Sequence, residues 1–388
     1  MTSDDLTLTA HPRIHDVPAA AWDACAGADN PFVRHAFLAA LEDSRSVSAE
    51  TGWLPQHLAL RDGAGRLVAC APLYVKSHSY GEYVFDWGWA DAYQRAGGRY
   101  YPKLQCAVPF TPATGPRLMV HPAAPDPDGL RRTLVSGMMA LAGRIEASSV
   151  HVTFPTAEEA AVMEDAGLLT RLGQQFHWEN RGYRSFDDFL GALSSRKRKA
   201  IRKERDKANA QGIRFLTLSG EEITPRQWEA FYGFYLSTVD RKWGQAYLRR
   251  PFFDLLGERL GSAVVLVLGE AEDSGTLVCG ALNLRGGDTL YGRNWGALGD
   301  YRFLHFEACY YRAIDYAIAH NLRWVEAGAQ GSHKVQRGYL PRPTWSAHWI
   351  ADAGFRRAVE RFVEEERHLL CADMEDTEAS GPYRKEDP

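Results

Sequence analysis

One segment type occurs twice in this chain. HLALRDGAGRLVACAPLYV, residues 57 to 75, reads as two apolar strands around a glycine-bearing turn, a β-hairpin signal. VVLVLGEAEDSGTLVCGALNL, residues 264 to 284, repeats it: the second strand again opens Leu-Val, at Leu277 and Val278 against Leu67 and Val68, and again runs through small residues and a cysteine. Two such hairpins so far apart imply two similar α/β units. A chain of 388 residues with 45% hydrophobic content can supply a core for each.

The elements after the second hairpin sharpen the expectation. DTLYGRNWG (288 to 296) reads as a strand, and FLHFEACYYRAIDYAIAH (303 to 320) as a helix with Phe306, Cys309, Tyr310, Ala313, Ile314 and Ala317 on one stripe. A short strand, RWVEAG, follows. Three strands, a helix and a strand is the winding of an acyltransferase domain of the GNAT class. Upstream, Thr224, Pro225 and Gln227 predict a capped helix that buries Trp228, Phe231, Tyr232, Tyr235 and Val239. A last helix buries Phe355, Val359, Phe362, Val363 and Leu370. The fold class expected is therefore α/β (α+β), two tandem GNAT-like acyltransferase domains with mixed central sheets flanked by helices. The first covers residues 1–180 and the second 181–371, with a disordered polar tail over 372–388.

Composition removes other classes. The six cysteines, Cys25, Cys70, Cys106, Cys279, Cys309 and Cys371, form no CxxC pair and read as core thiols of a reducing compartment. No HExxH, Walker A, GxGxxG or GxSxG motif is present. The start, MTSDDLTLTA, is acidic, and no apolar run approaches the roughly 18 residues needed to span a bilayer, so a soluble cytoplasmic protein without a membrane span is expected.

Charge is concentrated in one place. SSRKRKAIRKERDKANAQG, residues 194 to 212, carries eight Lys and Arg against Glu204 and Asp206 between Arg196 and Lys207. That is +6 on a chain of formal net charge −4, which leaves −10 elsewhere. The stretch is predicted to be a surface helix capped at Ser194 or Ser195 and stopped at Gly212, with only Ala200, Ile201 and Ala208 apolar. It reads either as a solvated basic face or as a phosphate-contacting helix.

Several blocks carry a family resemblance. RKRKAIRKERDKANAQGIRF resembles the signature opening the second domain of FemABX-type peptidyltransferases. The blocks at 72–93, 100–118, 291–296, 304–318 and EAGAQGSHKVQRGYLP (326–341) resemble the FemAB-like family of N-acyltransferases of the peptidoglycan biosynthesis or recognition type. The resemblance implies acyl or aminoacyl transfer to an amine, the acceptor being a peptidoglycan precursor or peptide. It implies no bound cofactor, only a co-substrate, aminoacyl-tRNA or acyl-CoA. GALGDYRFLHFE departs from the usual acetyl-CoA loop because Asp300 stands where an anion would approach, which favours the aminoacyl donor. A non-catalytic precursor-binding or RNA-binding protein on the same fold stays open as an alternative, as does the choice between monomer and homodimer.

The site residues follow from these blocks. Acyl transfer to an amine needs no metal, but a base helps, and Glu326, His333, His305 and Glu307 are the catalytic candidates. Arg196, Arg198, Lys199, Arg202 and Lys203 of the basic helix are expected at the donor. With them go Arg293 and Asn294, and Gly328, Gln330, Gly331, Lys334 and Arg337 from the glycine turn. Lys76, His78, Glu82, Tyr83, Asp86, Tyr101, Lys103, Phe110 and Thr111 are expected to contact the acceptor, because charges among aromatic tips suit a polar ligand. The block 72–93 reads as a wet-faced strand or a cleft, and 100–116 as a rigid proline-rich loop.

Overall fold

The structure, a computed structural model, describes residues 6–242, 245–328 and 331–384. Contacts divide it into two compact units: unit 1 is Met1–Gly173 with Pro343–Ala372, and unit 2 is Gln174–Arg342 with Asp373–Pro388.

Unit 1 begins with strand β1 (Thr7–His11) and helices α1 (Ala19–Ala26) and α2 (His35–Asp43). Strands β2 (Trp53–Pro55), β3 (His57–Arg61), β4 (Leu67–Ala71) and β5 (Leu73–Lys76) follow, then α3 (Trp87–Arg95), β6 (Lys103–Cys106) and β7 (Met119–Val120). Helix α4 (Pro127–Arg144), β8 (Ser149–Thr153) and α5 (Ala157–Asp165) lead into β9 (Leu169–Glu179), which ends in unit 2. The hairpin read at 57–75 is present, with Leu60 opposite Ala69, but its second strand is cut in two. Pro72 has no N–H for a ladder, so β4 stays with β3 while β5 pairs with β2 and β6. Strand β6 pairs in parallel with β8 across the α4 crossover, and the sheet packs Leu73, Leu104, Val150 and Val152 against Leu134 and Met138 of α4. Each such side chain contributes about 1.5–3 kcal/mol of burial.

Unit 2 carries α6 (Phe186–Ala192), α7 (Ser195–Asn209), β10 (Ile213–Ser219), α8 (Pro225–Lys242) and α9 (Arg250–Leu260). Strands β11 (Val264–Ala271), β12 (Leu277–Gly286) and β13 (Thr289–Ala297) complete an antiparallel meander with β10. A helix then runs as α10 (Leu304–Phe306), a π turn (Glu307–Tyr311) and α11 (Arg312–Ala319) before β14 (Trp324–Glu326) returns parallel to β13. Ser185 caps α6 by accepting from the Asp188 N–H, and the Gln227 side chain accepts from the Thr224 N–H at the start of α8, as the sequence implies. On α8 the buried aromatics are Trp228, Phe231, Phe234 and Tyr235. The core joins Trp178, Val265, Leu290 and Val325 of the sheet to Ile314 and Ala317 of α11.

The chain's end differs from the expected plan. Strand β15 (Leu340–Ile350) starts in unit 2, but its residues Ser346–Ile350 pair with β8, and α12 (Ala353–Ala379) packs Val359 and Val363 against Trp89, Tyr100 and Leu169. The first boundary, expected at residue 180, falls at Gly173, and residues 343–372 return to unit 1 because their pairing partner lies far back in the chain. The expected disordered tail is helical to Ala379. Beyond it the Ser194 N–H donates to Pro382 O at 2.9 Å, the Arg384 N–H to Ala192 O at 3.0 Å and the Tyr383 hydroxyl to Gly338 O at 2.8 Å. These partners are remote in sequence, so the polar composition of the tail does not report them. On α12, Phe362 and Cys371 are exposed, against the expectation of burial. The segment 100–116, expected to be a loop, contains β6, whose four residues are all buried even though Lys103 and Gln105 break the apolar pattern.

Candidate functional site

In unit 2 the register between β13 and β14 covers only Thr289–Tyr291, and β13 runs six residues further, to Ala297. Arg293 is the extra residue of a β-bulge, because Leu282 opposes Asn294 while Asn283 opposes Gly292. The backbone of Arg293, Asn294 and Trp295 thus presents an edge that β14 does not engage. Facing residues come from the helix that follows. Trp295 and His305 have ring centroids 5.3 Å apart, His305 and Tyr310 5.3 Å, and Phe306 and His333 5.6 Å. The π turn sets these rings: such turns recur at functional positions, and this one leaves the Tyr310 hydroxyl 3.0 Å from His333 Nε2. Partial burial, with the charges of Arg337 and Lys334, lowers the His333 pKa, so the imidazole is neutral at neutral pH and able to accept a proton. Burial pushes the Tyr310 hydroxyl well up, so it stays protonated.

Glu326 closes β14, with His177 Nε2 of β9 4.0 Å from its carboxylate. Burial, reinforced by Arg342 and Lys334, takes the His177 pKa down to about 3. Gly328 and Gly331 adopt positive φ of 76° and 100°, a conformation that side-chain-bearing residues rarely take. Gln330 lies outside the described residues.

Three expected roles change once partners are visible. Glu307 is fully buried, with Arg205 donating to both carboxylate oxygens at 3.0 and 3.1 Å and Arg312 2.8 Å away. It is the acid of a buried ion pair rather than an accessible base. Arg337 donates to both oxygens of Glu204, at 2.8 and 3.1 Å, and lies 3.5 Å over the Phe306 ring. Its fork is occupied internally instead of meeting a phosphate. Lys334 is buried and donates to the Ala327 and Gly328 carbonyls, the latter at 2.8 Å, so it clamps the turn after β14.

Helix α7 matches its expected span and surface position, with Ile201 and Ala208 buried and Ala200 exposed. Ser194 is the N-cap residue, without a capping bond from its side chain. Arg196, Lys199, Arg202 and Lys203 are exposed and Arg198 half-buried. Arg202 pairs with Asp187 at 2.9 Å, and Arg205 is drawn inward to Glu307, Asp315 and the Phe186 ring.

Unit 1 holds the other constellation. The block expected to be a strand or cleft is a loop, residues 77–86, ending at the N-cap Asp86 of α3. Lys103 Nζ donates to Ser79 Oγ at 2.9 Å, to Glu82 Oε2 at 2.7 Å and to Asp86. Lys76 Nζ donates to Tyr80 O at 3.3 Å, lies 3.8 Å from Glu82 and sits 3.7 Å over the Trp53 ring. Both lysines have zero exposure, so these four charges pin the loop from below instead of lining an open cleft. Burial, with Lys103 nearby, brings the Lys76 pKa down to about 7, and burial lifts that of Glu82 to about 7. Burial opposes ionisation of Asp86, but Lys103 overrides it and holds the carboxyl below its usual range. Among the other acceptor candidates, the Tyr101 hydroxyl is 2.7 Å from Ser79 Oγ and His78 Nε2 is 3.1 Å from Thr51 O. Thr111 Oγ1 donates to Pro109 O, Phe110 packs under Gly81, and Tyr83 is exposed.

Sequence reasoning missed Tyr310, Tyr311, Glu204 and Arg205 around the π turn. It also missed a buried chain in unit 1, where the Tyr100 hydroxyl donates to Asp86 at 2.6 Å and His151 Nδ1 lies 2.7 Å from His348 Nδ1. The SxH spacing of Ser149-His151 and Ser346-His348 was the available signal, since each serine lies within 2.9 Å of its histidine. Among the described residues, no group of three or more His, Cys, Asp or Glu is placed to hold a metal ion, and no helix is long and apolar enough to cross a membrane.

An antiparallel meander followed by a helix and a parallel strand, with the third meander strand running on past the end of the parallel pair, defines a GNAT-like unit, and this chain carries two α/β units in tandem. The model of the FemAB-like family, described as peptidoglycan biosynthesis/recognition, matches residues 13–385, and the chain belongs to that family. None of the curated proteins matches it. Among solved structures it is similar to FemX, at 11% identity and TM-score 0.55, over 92% of this chain and 100% of that one. It is also similar to L-PGS from Bacillus licheniformis, at 10% identity and TM-score 0.51, over 87% and 98%. A tandem GNAT protein from the clavulanic acid biosynthesis pathway aligns at 13% identity and TM-score 0.49, over 90% and 99%. At these identities the likeness is one of fold.

Proposed function

We propose that this protein is an N-acyltransferase that moves an acyl or aminoacyl group from an aminoacyl-tRNA, rather than from acyl-CoA, onto the amine of a peptidoglycan precursor. The observation that carries the reading is the cluster of His305, Tyr310 and His333, which packs through His305 on Trp295 of β13, beyond the residues that pair with β14. The amine attacks the ester carbonyl carbon, its proton passes to neutral His333, and the carbon–oxygen bond to the ribose breaks as the hydroxyl leaves with a proton. Backbone N–H groups along β13 receive the charge that develops on the carbonyl oxygen. Glu326 is the second candidate base. Donor contacts fall to Arg196, Lys199 and Lys203, which are exposed at helical spacing on α7, and exposed Asp300 disfavours a CoA pyrophosphate in the turn after β13.

The test compares thermal shifts with aminoacylated tRNA, uncharged tRNA, acetyl-CoA and a UDP-linked muropeptide, followed by mass spectrometry of the muropeptide. Stabilisation by aminoacylated tRNA and an aminoacyl mass increment are expected. Stabilisation by acetyl-CoA alone reverses the donor assignment, and equal response to charged and uncharged tRNA with no product makes the protein an RNA binder.

A further inference from the structure

In unit 1, four aromatic side chains within eight residues face solvent: Tyr80 is 55% exposed, Tyr83 39%, Phe85 59% and Trp87 41%. Large apolar groups at that density on an otherwise polar surface mark a binding surface. The segment is held from beneath at several points. Lys76 binds Tyr80 O, Lys103 binds Glu82 and Asp86, and Arg171 Nη1 donates to Phe85 O at 2.9 Å. Gly81 lies against Phe110, where a Cβ would approach the ring to 2.5 Å. Tyr80 packs edge-on to Trp87 with centroids 4.9 Å apart, and His78 packs edge-on to Tyr80 at 5.1 Å. The loop backbone and the Tyr80–Trp87 pair are therefore set in place before any ligand arrives, which removes much of the ordering cost of binding.

We propose that this ridge, residues 78–87, is a stacking platform for the pyranose rings of a neutral amino-sugar glycan. The exposed large side chains of the loop are all aromatic, with tyrosine hydroxyls among them, which suits flat C–H faces bordered by hydroxyl groups. The buried charges Lys76, Lys103, Glu82 and Asp86 hold the loop from within and do not reach its surface, so the exposed face offers rings and tyrosine hydroxyls, not a charge. Charge argues against an anionic bilayer: residues 76–99 hold three bases, Lys76, Arg95 and Arg99, against three acids, Glu82, Asp86 and Asp91. The inference rests on membership of a family described by peptidoglycan and not on acyl transfer, so it stands or falls separately from the reaction.

The experiment titrates the full chain with chitohexaose, an uncharged N-acetylhexosamine oligomer, and follows tryptophan emission and binding heat. Anionic phosphatidylglycerol vesicles form a parallel arm. Saturable oligosaccharide binding is expected, weakened about tenfold by Tyr80→Ala and by Trp87→Ala and unchanged by Leu369→Ala on α12. Circular dichroism melts check folding, and Phe85→Ser replaces any variant that fails. Absence of binding at millimolar oligosaccharide overturns the proposal, as does binding that the ridge variants leave intact. Vesicle partitioning lost in the same variants, without oligosaccharide binding, overturns it in favour of a lipid surface.

Discussion

Replacing Lys103 by Met tests whether the charge network of unit 1 holds the loop above it. Lys103 has no exposure, and its Nζ binds Ser79, Glu82 and Asp86. Met fills a similar volume, so little packing is lost, but two buried carboxylates lose their counter-charge. Breaking a buried pair from one side costs about 3–5 kcal/mol, and two carboxylates served by one ammonium put Lys103→Met at the upper end. Native domains are stable by only about 5–15 kcal/mol, so a large share of unit 1 would unfold in moderate denaturant. Urea unfolding read by tryptophan fluorescence measures the loss, and two units call for two transitions to be resolved. The deficit shrinks as pH falls from 8 to 5, because the orphaned carboxylates take up protons. Lys103→Met combined with Glu82→Gln and Asp86→Asn recovers at least half of it. A single variant within about 1 kcal/mol of the wild type would refute the reasoning.

Other predictions follow from the same geometry. Glu82 has a folded pKa near 7, above its unfolded value, so its contribution is complete at low pH and lost as pH rises through 7. Lys76 is depressed to about 7, so its contribution is complete at high pH and lost as pH falls through 7. Together they put a dip in stability near neutral pH, which Lys76→Met with Glu82→Gln flattens in melts from pH 5 to 9. His151, brought down to about 3 by burial first and by Lys103 next, contributes stability above its unfolded pKa that is lost as pH falls toward 3. Its ring NMR shifts therefore stay at the neutral position at pH 5. His333→Ala lowers kcat about 10²- to 10⁴-fold with a smaller change in KM, and the wild-type rate falls on the acid side as that imidazole protonates. Gly296→Ala abolishes folding of unit 2 or lowers its melting temperature sharply, because the new Cβ meets the Phe234 carbonyl oxygen of α8 at 1.8 Å.

Local patterns were enough to read the strands and helices of unit 2. The meander of β11 to β13, the α11 stripe and the caps at Ser185 and Thr224 each rest on residues within a few positions of one another. What the sequence hid was set by distant partners. Pro72 splits a strand that reads as continuous, and β6 reads as loop because the partners that make Lys103 and Gln105 buriable come from elsewhere: Glu82 and Asp86 for one, Thr153 for the other. The return of β15 to β8 joins residues nearly two hundred positions apart, and no local signal marks it.

The same argument explains why the candidate site was half legible. A basic run counts cations but not their partners. Of the eight between Arg196 and Lys207, Arg205 is spent on Glu307 and Asp315, more than a hundred residues downstream, and Arg202 meets Asp187. Arg337 is spent on Glu204 of the same helix. Of the six that remain, Lys197, Arg198 and Lys207 are half-buried, and Arg196, Lys199 and Lys203 form the exposed row offered to a polyanion. If that row contacts RNA, replacing all three by Gln removes about three phosphate contacts and flattens the salt dependence of tRNA affinity by roughly two units of log–log slope. Arg205→Met instead lowers stability and leaves the slope alone, because a cation already neutralised inside the fold releases no counterions from RNA. Equal loss of slope in both variants would mean that the buried pairs open on binding, and that the run acts as one charge after all.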